Sequence, residues 1–270
     1  MFIHDNLLVL LLVASGIFIL ALLVGVIGNV AGIGGGVILV LFLIYLVHLG
    51  PLDASGLSLL TIVFSTLSGF IQDFRKKLVD KKLFVIISVL AVIGATVGSV
   101  MTHYVSSNTF KGAFSLITIC IGMFSLYSTH KQTRKGIESY SESSDYAPNT
   151  GIFSLTAGVV SGFIGIGIGG IMGTFLTAIK RTKPRTAFAT IIAAMLPVSI
   201  VGTGIHFYYT GFVNILYAPP LIAGALLGGV LGSWIISRSH QTNLRLFQGY
   251  IIIAFGVLSA ILYLLTSYFH

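Results

Sequence analysis

The sequence predicts an all-α integral membrane protein made of two inverted-topology repeats. Each repeat is a glycine-broken helical hairpin followed by three transmembrane helices, giving eight to ten membrane segments in all. Three observations carry this prediction: an extreme composition, apolar blocks that recur along almost the whole chain, and two matching glycine-rich stretches whose flanking loops differ in charge.

Composition sets the class. Of 270 residues, 56% are hydrophobic and 8% are charged, against roughly 25% charged in an average soluble domain. No stretch is long and polar enough for a soluble domain, so function is expected inside the bilayer. The formal net charge of +8 follows the loops rather than forming a nucleic-acid surface, and no nucleic-acid partner is expected. The single cysteine, Cys120, excludes an intramolecular disulfide and CxxC chemistry. Its neighbours Ile119 and Ile121 suggest a small buried apolar role. The segment Met1–Asn6 carries Asp5 and no Lys or Arg, so Leu7 onward reads as a retained span rather than a signal peptide.

The apolar blocks, in order, are Leu7–His48, Ala54–Phe74, Leu83–Tyr104, Phe110–Thr129, Thr150–Ile179, Thr186–Tyr209, Val213–Ser237 and Leu244–Phe269. Helices are expected throughout, because lipid leaves the backbone no other means of pairing its polar groups. The first and fifth blocks are too long for one crossing and are broken near the middle by glycines, so both read as hairpins. Beyond the first break, Val37–His48 gives a helix of about 12 to 15 residues, roughly 20 Å against a hydrocarbon core of about 30 Å. Asp53 is expected to N-cap the block starting at Ala54, and Pro197 to interrupt and kink the span Thr186–Tyr209.

Loop charge assigns the sides. Fourteen of the 15 Lys and Arg residues fall in 75–82, 131–135, 180–185 and at Arg238 with Arg245; Lys111 is the other. The connections 49–53, 105–109 and 210–212 hold none. The positive-inside rule places the basic loops in the cytoplasm and both termini outside, in the plasma membrane. The organisation is then an N-terminal repeat over 1–130, a Ser-rich cytoplasmic linker over 131–149 and an inverted C-terminal repeat over 150–270.

The repeat is visible residue by residue. A shift of 133 (169 − 36) lays Gly25 on Gly158, Gly32 on Gly165, Gly34 on Gly167, Gly36 on Gly169, Pro51 on Pro184, Ala54 on Ala187 and Gly69 on Gly202. The Pro51 loop is nevertheless uncharged where the Pro184 loop is basic. Duplicated units of opposite polarity are a design of many secondary transporters.

The two breaks read Gly28-Asn29-Val30-Ala31-Gly32-Ile33-Gly34-Gly35-Gly36 and Gly162-Phe163-Ile164-Gly165-Ile166-Gly167-Ile168-Gly169-Gly170. Neither is followed by Lys-Ser/Thr, so a phosphate-loop reading fails. At membrane depth, a half-helix N-terminus offers free N–H groups and the positive end of a dipole. A small-anion site is therefore expected between the breaks, at Asn29, Gly32, Gly34, Gly35, Gly36, Gly165, Gly167, Gly169 and Gly170. Hydroxyls of the following spans complete it: Ser58, Thr61, Ser65 and Thr190, with Ser55, Thr66, Thr186 and Ser199 nearby. Ser and Thr in a span also bond their own helix carbonyls, and a buried carboxamide such as Asn29 either meets ligand or stabilises the break. Asp73 and His206 occupy matching positions (206 − 73 = 133) near span ends. They either carry a coupling proton or act as interfacial caps. No metal or cofactor is expected.

The segments Gly25–Val40 and Gly158–Gly173, each followed by Pro-x-x-Ala (Pro51–Ala54, Pro184–Ala187) and a hydroxyl-rich span, resemble the TauE/SafE family of sulfite exporters. The resemblance covers 25–104 and 151–265. Leu41 and Thr174 stand where the family commonly has proline, and Ile168 where it has a third consecutive glycine. The resemblance implies transport of small sulfur-containing anions such as sulfite or an organosulfonate like sulfoacetate. Expected partners are that anion, the lipid bilayer, H+ or Na+ as coupling ion, and a second copy of the chain in a homodimer. The alternatives are a passive anion channel and a membrane-embedded enzyme. The enzyme is disfavoured, since the spans hold no paired carboxylates, no HExxH and no GxSxG.

Overall fold

The computed structural model describes residues 2–30, 32–134, 149–180, 182–211, 217–238 and 241–268. Most of the predicted linker, 135–148, lies outside the described residues. Among the described residues the chain is helical throughout. The first half holds α1 (Phe2–Val30), α2 (Gly36–Tyr45), α3 (Pro51–Arg75), α4 (Lys81–His103) and α5 (Ser107–Arg134). The second holds α6 (Asn149–Ile164), α7 (Gly169–Thr174, continued as a π-turn over Phe175–Ile179), α8 (Pro184–Thr210), α9 (Ala218–Arg238) and α10 (Gln241–Tyr268). Seven of these are long and apolar enough to cross a membrane; α2, α6 and the α7 segment are shorter apolar helices.

The helices pack by close backbone approach at small residues, as helices in lipid do. Gly158 and Gly162 of α6 press on Ala91 and Ala95 of α4, and Gly94 and Gly98 of α4 press back on α6. Gly25 of α1 meets Gly228 of α9, and Gly224 and Gly228 press on Phe18 and Leu22. The main helix pairs are α4 with α6, α1 with α9, α3 with α8, and α5 with α10. Exchanging the first five helices for the second five turns α4–α6 and α1–α9 into each other and maps α3–α8 and α5–α10 onto themselves. The spans α3 and α8 are the most enclosed. Large apolar side chains such as Leu23, Ile93, Trp234 and Leu264 are exposed on the outer surface, where lipid would replace water.

Four local expectations are corrected. The helix after the first break is Gly36–Tyr45, 10 residues, about 15 Å long, because His48 adopts φ 58° and the chain turns towards Pro51. Asp53 does not cap α3. The helix starts two residues earlier at Pro51, with Gly50 as N-cap, since the proline ring presets helical φ and its missing N–H costs nothing at that position. Asp53 sits in the first turn instead, where its charge opposes the helix dipole favourably. The side-chain cap that does form is Asp80, whose Oδ1 accepts from Lys82 and Leu83 N–H and starts α4. Cys120 is exposed on the surface of α5 rather than buried, because that helix faces α10 with another side. The helix α8 runs through Pro197 unbroken.

Candidate functional site

The two glycine breaks meet. Gly36, at the start of α2, lies against the Gly165 carbonyl and Ile166, and Gly169, at the start of α7, lies against the Gly32 carbonyl. These contacts are equivalent under the 133-residue offset (36 with 165, 169 with 32). At each, a methyl group would overlap the opposing carbonyl oxygen.

Two side chains at equivalent positions support the junction: Ile62 of α3 and Met195 of α8, both fully buried. A Cβ placed on Gly34 lies 3.3 Å from Ile62 Cγ1 and from Met195 Sδ, and one on Gly167 lies 3.4 Å from Ile62 Cδ1 and 3.5 Å from Met195 Cε. Gly34 and Gly167 have φ of 81° and 78°, the left-handed region that favours glycine. Gly35, the N-cap of α2, is turned away against Val24, and Gly170 is turned towards Ile121 and Ile252.

Each break ends a helix and leaves carbonyls that need donors. In the first break the backbone supplies them. The Gly28 carbonyl accepts from Ile33 N–H at 2.9 Å and Gly34 N–H at 3.1 Å, and Asn29 O accepts from Gly32 N–H at 2.9 Å. In the second, Gly165 N–H returns to Ser161 O at 2.8 Å, and side chains from three other helices cap the rest. Ser58 Oγ of α3 donates to Gly165 O at 2.7 Å. Thr102 Oγ1 of α4 donates to Phe163 O at 2.8 Å. The Gly162 carbonyl takes His206 Nε2–H of α8 at 2.9 Å and Ser99 Oγ of α4 at 3.3 Å.

The remaining predicted residues divide by partner. Asn29 is buried and its Nδ2 donates to Ser65 O of α3 at 3.1 Å and Gly229 O of α9 at 3.3 Å, while its Oδ1 has no protein partner. Thr61, Ser65 and Thr66 bond carbonyls of their own helix, at Leu57, Ile62 and Ile62. Thr190 bonds Thr186 O and accepts Asp80 N–H at 3.0 Å, which ties α8 to the α3–α4 loop rather than to the breaks. Asp73 is half-buried three turns beyond Ile62 on α3. His206, expected near an interface, is instead fully buried against α6.

Residues that sequence reasoning passed over also converge here. Ser99 and Thr102 cap the second break as described, and Gln248 of α10, buried, donates from Nε2 to Gly169 O at 3.2 Å. A carboxamide in an apolar span carries the same signal for Gln248 as for Asn29. No group of three or more His, Cys, Asp or Glu that would hold a metal occurs among the described residues.

Apolar helices of crossing length, wrapped round two backbone breaks in contact, define a multi-pass membrane protein. The chain belongs to the sulfite exporter TauE/SafE family of membrane transporters, whose family model, described as "Sulfite exporter TauE/SafE", matches residues 17–259. Among its relatives, "Probable membrane transporter protein YunE" of Bacillus subtilis is 30% identical over 246 residues, covering 83% of this chain and 89% of the relative. "Probable membrane transporter protein YfcA" of Escherichia coli K12 is 26% identical over 250 residues, covering 90% and 87%. "Probable membrane transporter protein MJ0441" of Methanocaldococcus jannaschii is 22% identical over 262 residues, covering 92% and 95%. No solved structure is significantly similar to the chain.

Proposed function

We propose that the chain is a secondary transporter that moves a small anion, sulfite or an organosulfonate such as sulfoacetate, across the plasma membrane by alternating access. The observation that carries this reading is the paired contact of Gly36 with Gly165 and of Gly169 with Gly32. Each helix start lies there against the bare backbone of the opposite break, with no basic side chain of the breaks to hold an anion too tightly to release. Backbone N–H groups at such starts favour negative charge. With the two breaks touching, an anion between them requires that they part, and parting and rejoining them is the motion alternating access needs. The sulfur chemistry rests on the family alone.

The halves, 1–130 and 150–270 joined by 131–149, are read as repeats of opposite orientation, with both termini outside and the linker cytoplasmic. Support comes from the charge asymmetry of the loops and from helix pairings that survive exchange of the halves. A coupling H+ or Na+ accompanies the anion, with Asp73 and His206 as the proton-carrying candidates, and the protein works as a homodimer.

Reconstituted proteoliposomes test the reading. Saturable uptake of sulfite or sulfoacetate, accelerated by the same anion loaded inside, is expected. Flux that fails to saturate would replace the carrier with a channel.

A further inference from the structure

The 133-residue offset also relates the surroundings of the breaks, and there the halves part company. Gly165 rests against Ser55, whereas its equivalent Gly32 rests against Phe188 (188 − 55 = 133). Ser58 corresponds to Ile191 and Ser99 to Gly232. The junction of α3, α6 and α8 beside the second break is therefore polar, while its counterpart is lined by Phe188 and Ile191.

That polar junction is under-satisfied. Ser55 Oγ of α3, Ser161 Oγ of α6 and His206 Nδ1 of α8 are buried atoms with no protein partner, on residues that are each 0% exposed. They belong to one neighbourhood. The His206 Cβ packs on Gly56, the residue after Ser55, and Ser55 Cβ lies 3.1 Å from a Cβ placed on Gly165. Ser161 precedes Gly162, whose carbonyl accepts His206 Nε2–H. Thr203, one turn from His206, adds another unpartnered hydroxyl. Buried polar atoms are almost always paired, and a group of orphans marks a place for something that pairs them.

The ring fixes what that something is. A carbonyl only accepts, so the bond to Gly162 O places the proton on Nε2. Nδ1 of the neutral ring is then a bare lone pair that requires a donor. The two serine hydroxyls, free to rotate, can donate. The titratable groups nearest along the packed elements are Asp53 of α3, His103 of α4, stacked on Tyr209 of α8 at 4.4 Å, and Tyr209 itself; α6 and α7 carry none.

We propose that Ser55, Ser161 and His206 form an oxyanion site, beside the break contact rather than within it, that takes a small oxyanion bearing one ionisable proton. The ligand O–H donates to His206 Nδ1, and its charged oxygens accept from the Ser55 and Ser161 hydroxyls. The proton that the transport reading assigns to His206 is then shared along one O–H···N bond and enters with the anion. The inference rests on that reading for the site's place on the transport path.

The test uses the full chain in lipid nanodiscs with 15N-labelled histidine, the His206 signal being assigned by its loss in His206→Gln. Sulfite, which takes up a proton near neutral pH, and methanesulfonate, which does not, are the probes; hydrogensulfite and methanesulfonate match in charge and are close in size. The Nδ1 signal is expected to move saturably with sulfite and to stay fixed with methanesulfonate. His206→Gln, which keeps a donor for Gly162 O, is expected to lose at least tenfold in sulfite affinity. Ser55→Ala is expected to lose severalfold in affinity with no loss of thermal stability, since that hydroxyl has no bond to give up. An equal response to both anions overturns the proton contact. A signal already hydrogen-bonded without ligand and unmoved by either anion means a resident water only and overturns the site. If proteoliposomes take up sulfite while the His206 signal stays still, this inference fails and the transport reading stands. If His206 responds to sulfite but no anion is taken up, the transport reading fails and the site stands.

Discussion

Ser58 Oγ donates to the Gly165 carbonyl at 2.7 Å across 107 residues of sequence, joining the N-terminal third of α3 to the tip of the second glycine break. The carbonyl it satisfies lies where no helix can supply an N–H. Ser58→Ala is expected to lower stability by about 1–3 kcal/mol, the cost of an orphaned buried acceptor. A thermal melt in detergent reads it, and a melt unchanged from wild type would show that the bond contributes nothing.

The contact between the breaks sets a steric limit. Gly36→Ala and Gly169→Ala each place a methyl group onto an opposing carbonyl, which only separation of the two segments relieves. Anion uptake in proteoliposomes is expected to fall by more than tenfold in both. Gly16→Ala and Gly204→Ala serve as controls, because a Cβ there meets nothing within 4 Å; they are expected to keep uptake and to change stability by less than about 1 kcal/mol. Full uptake in Gly36→Ala would mean that the breaks need not touch.

Asn29 holds α1 to α3 and α9 at once through two bonds from one amide nitrogen. Asn29→Asp replaces that donor with an oxygen facing the Ser65 and Gly229 carbonyls. It is expected to destabilise more than Asn29→Ala, with about 2–4 kcal/mol lost against 1–2. Equal melting temperatures for the two variants would refute the role of the nitrogen.

Orientation is open to labelling. In a Cys120→Ser background, Thr109→Cys, exposed in the first turn of α5, is expected to react with a membrane-impermeant maleimide in intact cells. Lys77→Cys, exposed at the basic α3–α4 turn, is expected to react only after permeabilisation. The reverse pattern would invert the topology.

The constant offset of the glycines made the bundle and its two breaks legible in the sequence, because a break at bilayer depth demands glycine wherever another backbone presses on it. Gly36, Gly165 and Gly169 are such positions, while Gly32 meets the Phe188 ring. Hydroxyl partners were not legible. Ser58 and Thr61 lie three residues apart on one buried helix, yet Ser58 crosses to Gly165 while Thr61 bonds Leu57 in its own turn. The difference is which side chain faces a carbonyl left bare by another segment, a fact of tertiary packing. His206 looked like a span-end residue because it stands four positions before the end of α8. The tip of α6 reaches up to meet it, and nothing in the local sequence of α8 announces that.

The way the two breaks close their carbonyls has a mechanical consequence. The first closes its carbonyls within its own segment at Gly28 and Asn29, and the Asn29 side chain ties it to α3 and α9. The second is fastened by Ser58, Ser99, Thr102 and His206, so its shape is borrowed from α3, α4 and α8. On the alternating-access reading, sliding those helices past α6 breaks these bonds, whereas the backbone bonds of the first break lie within one segment. Two halves that resemble each other in sequence thus close their breaks unequally: one within its own segment, the other through three neighbouring helices.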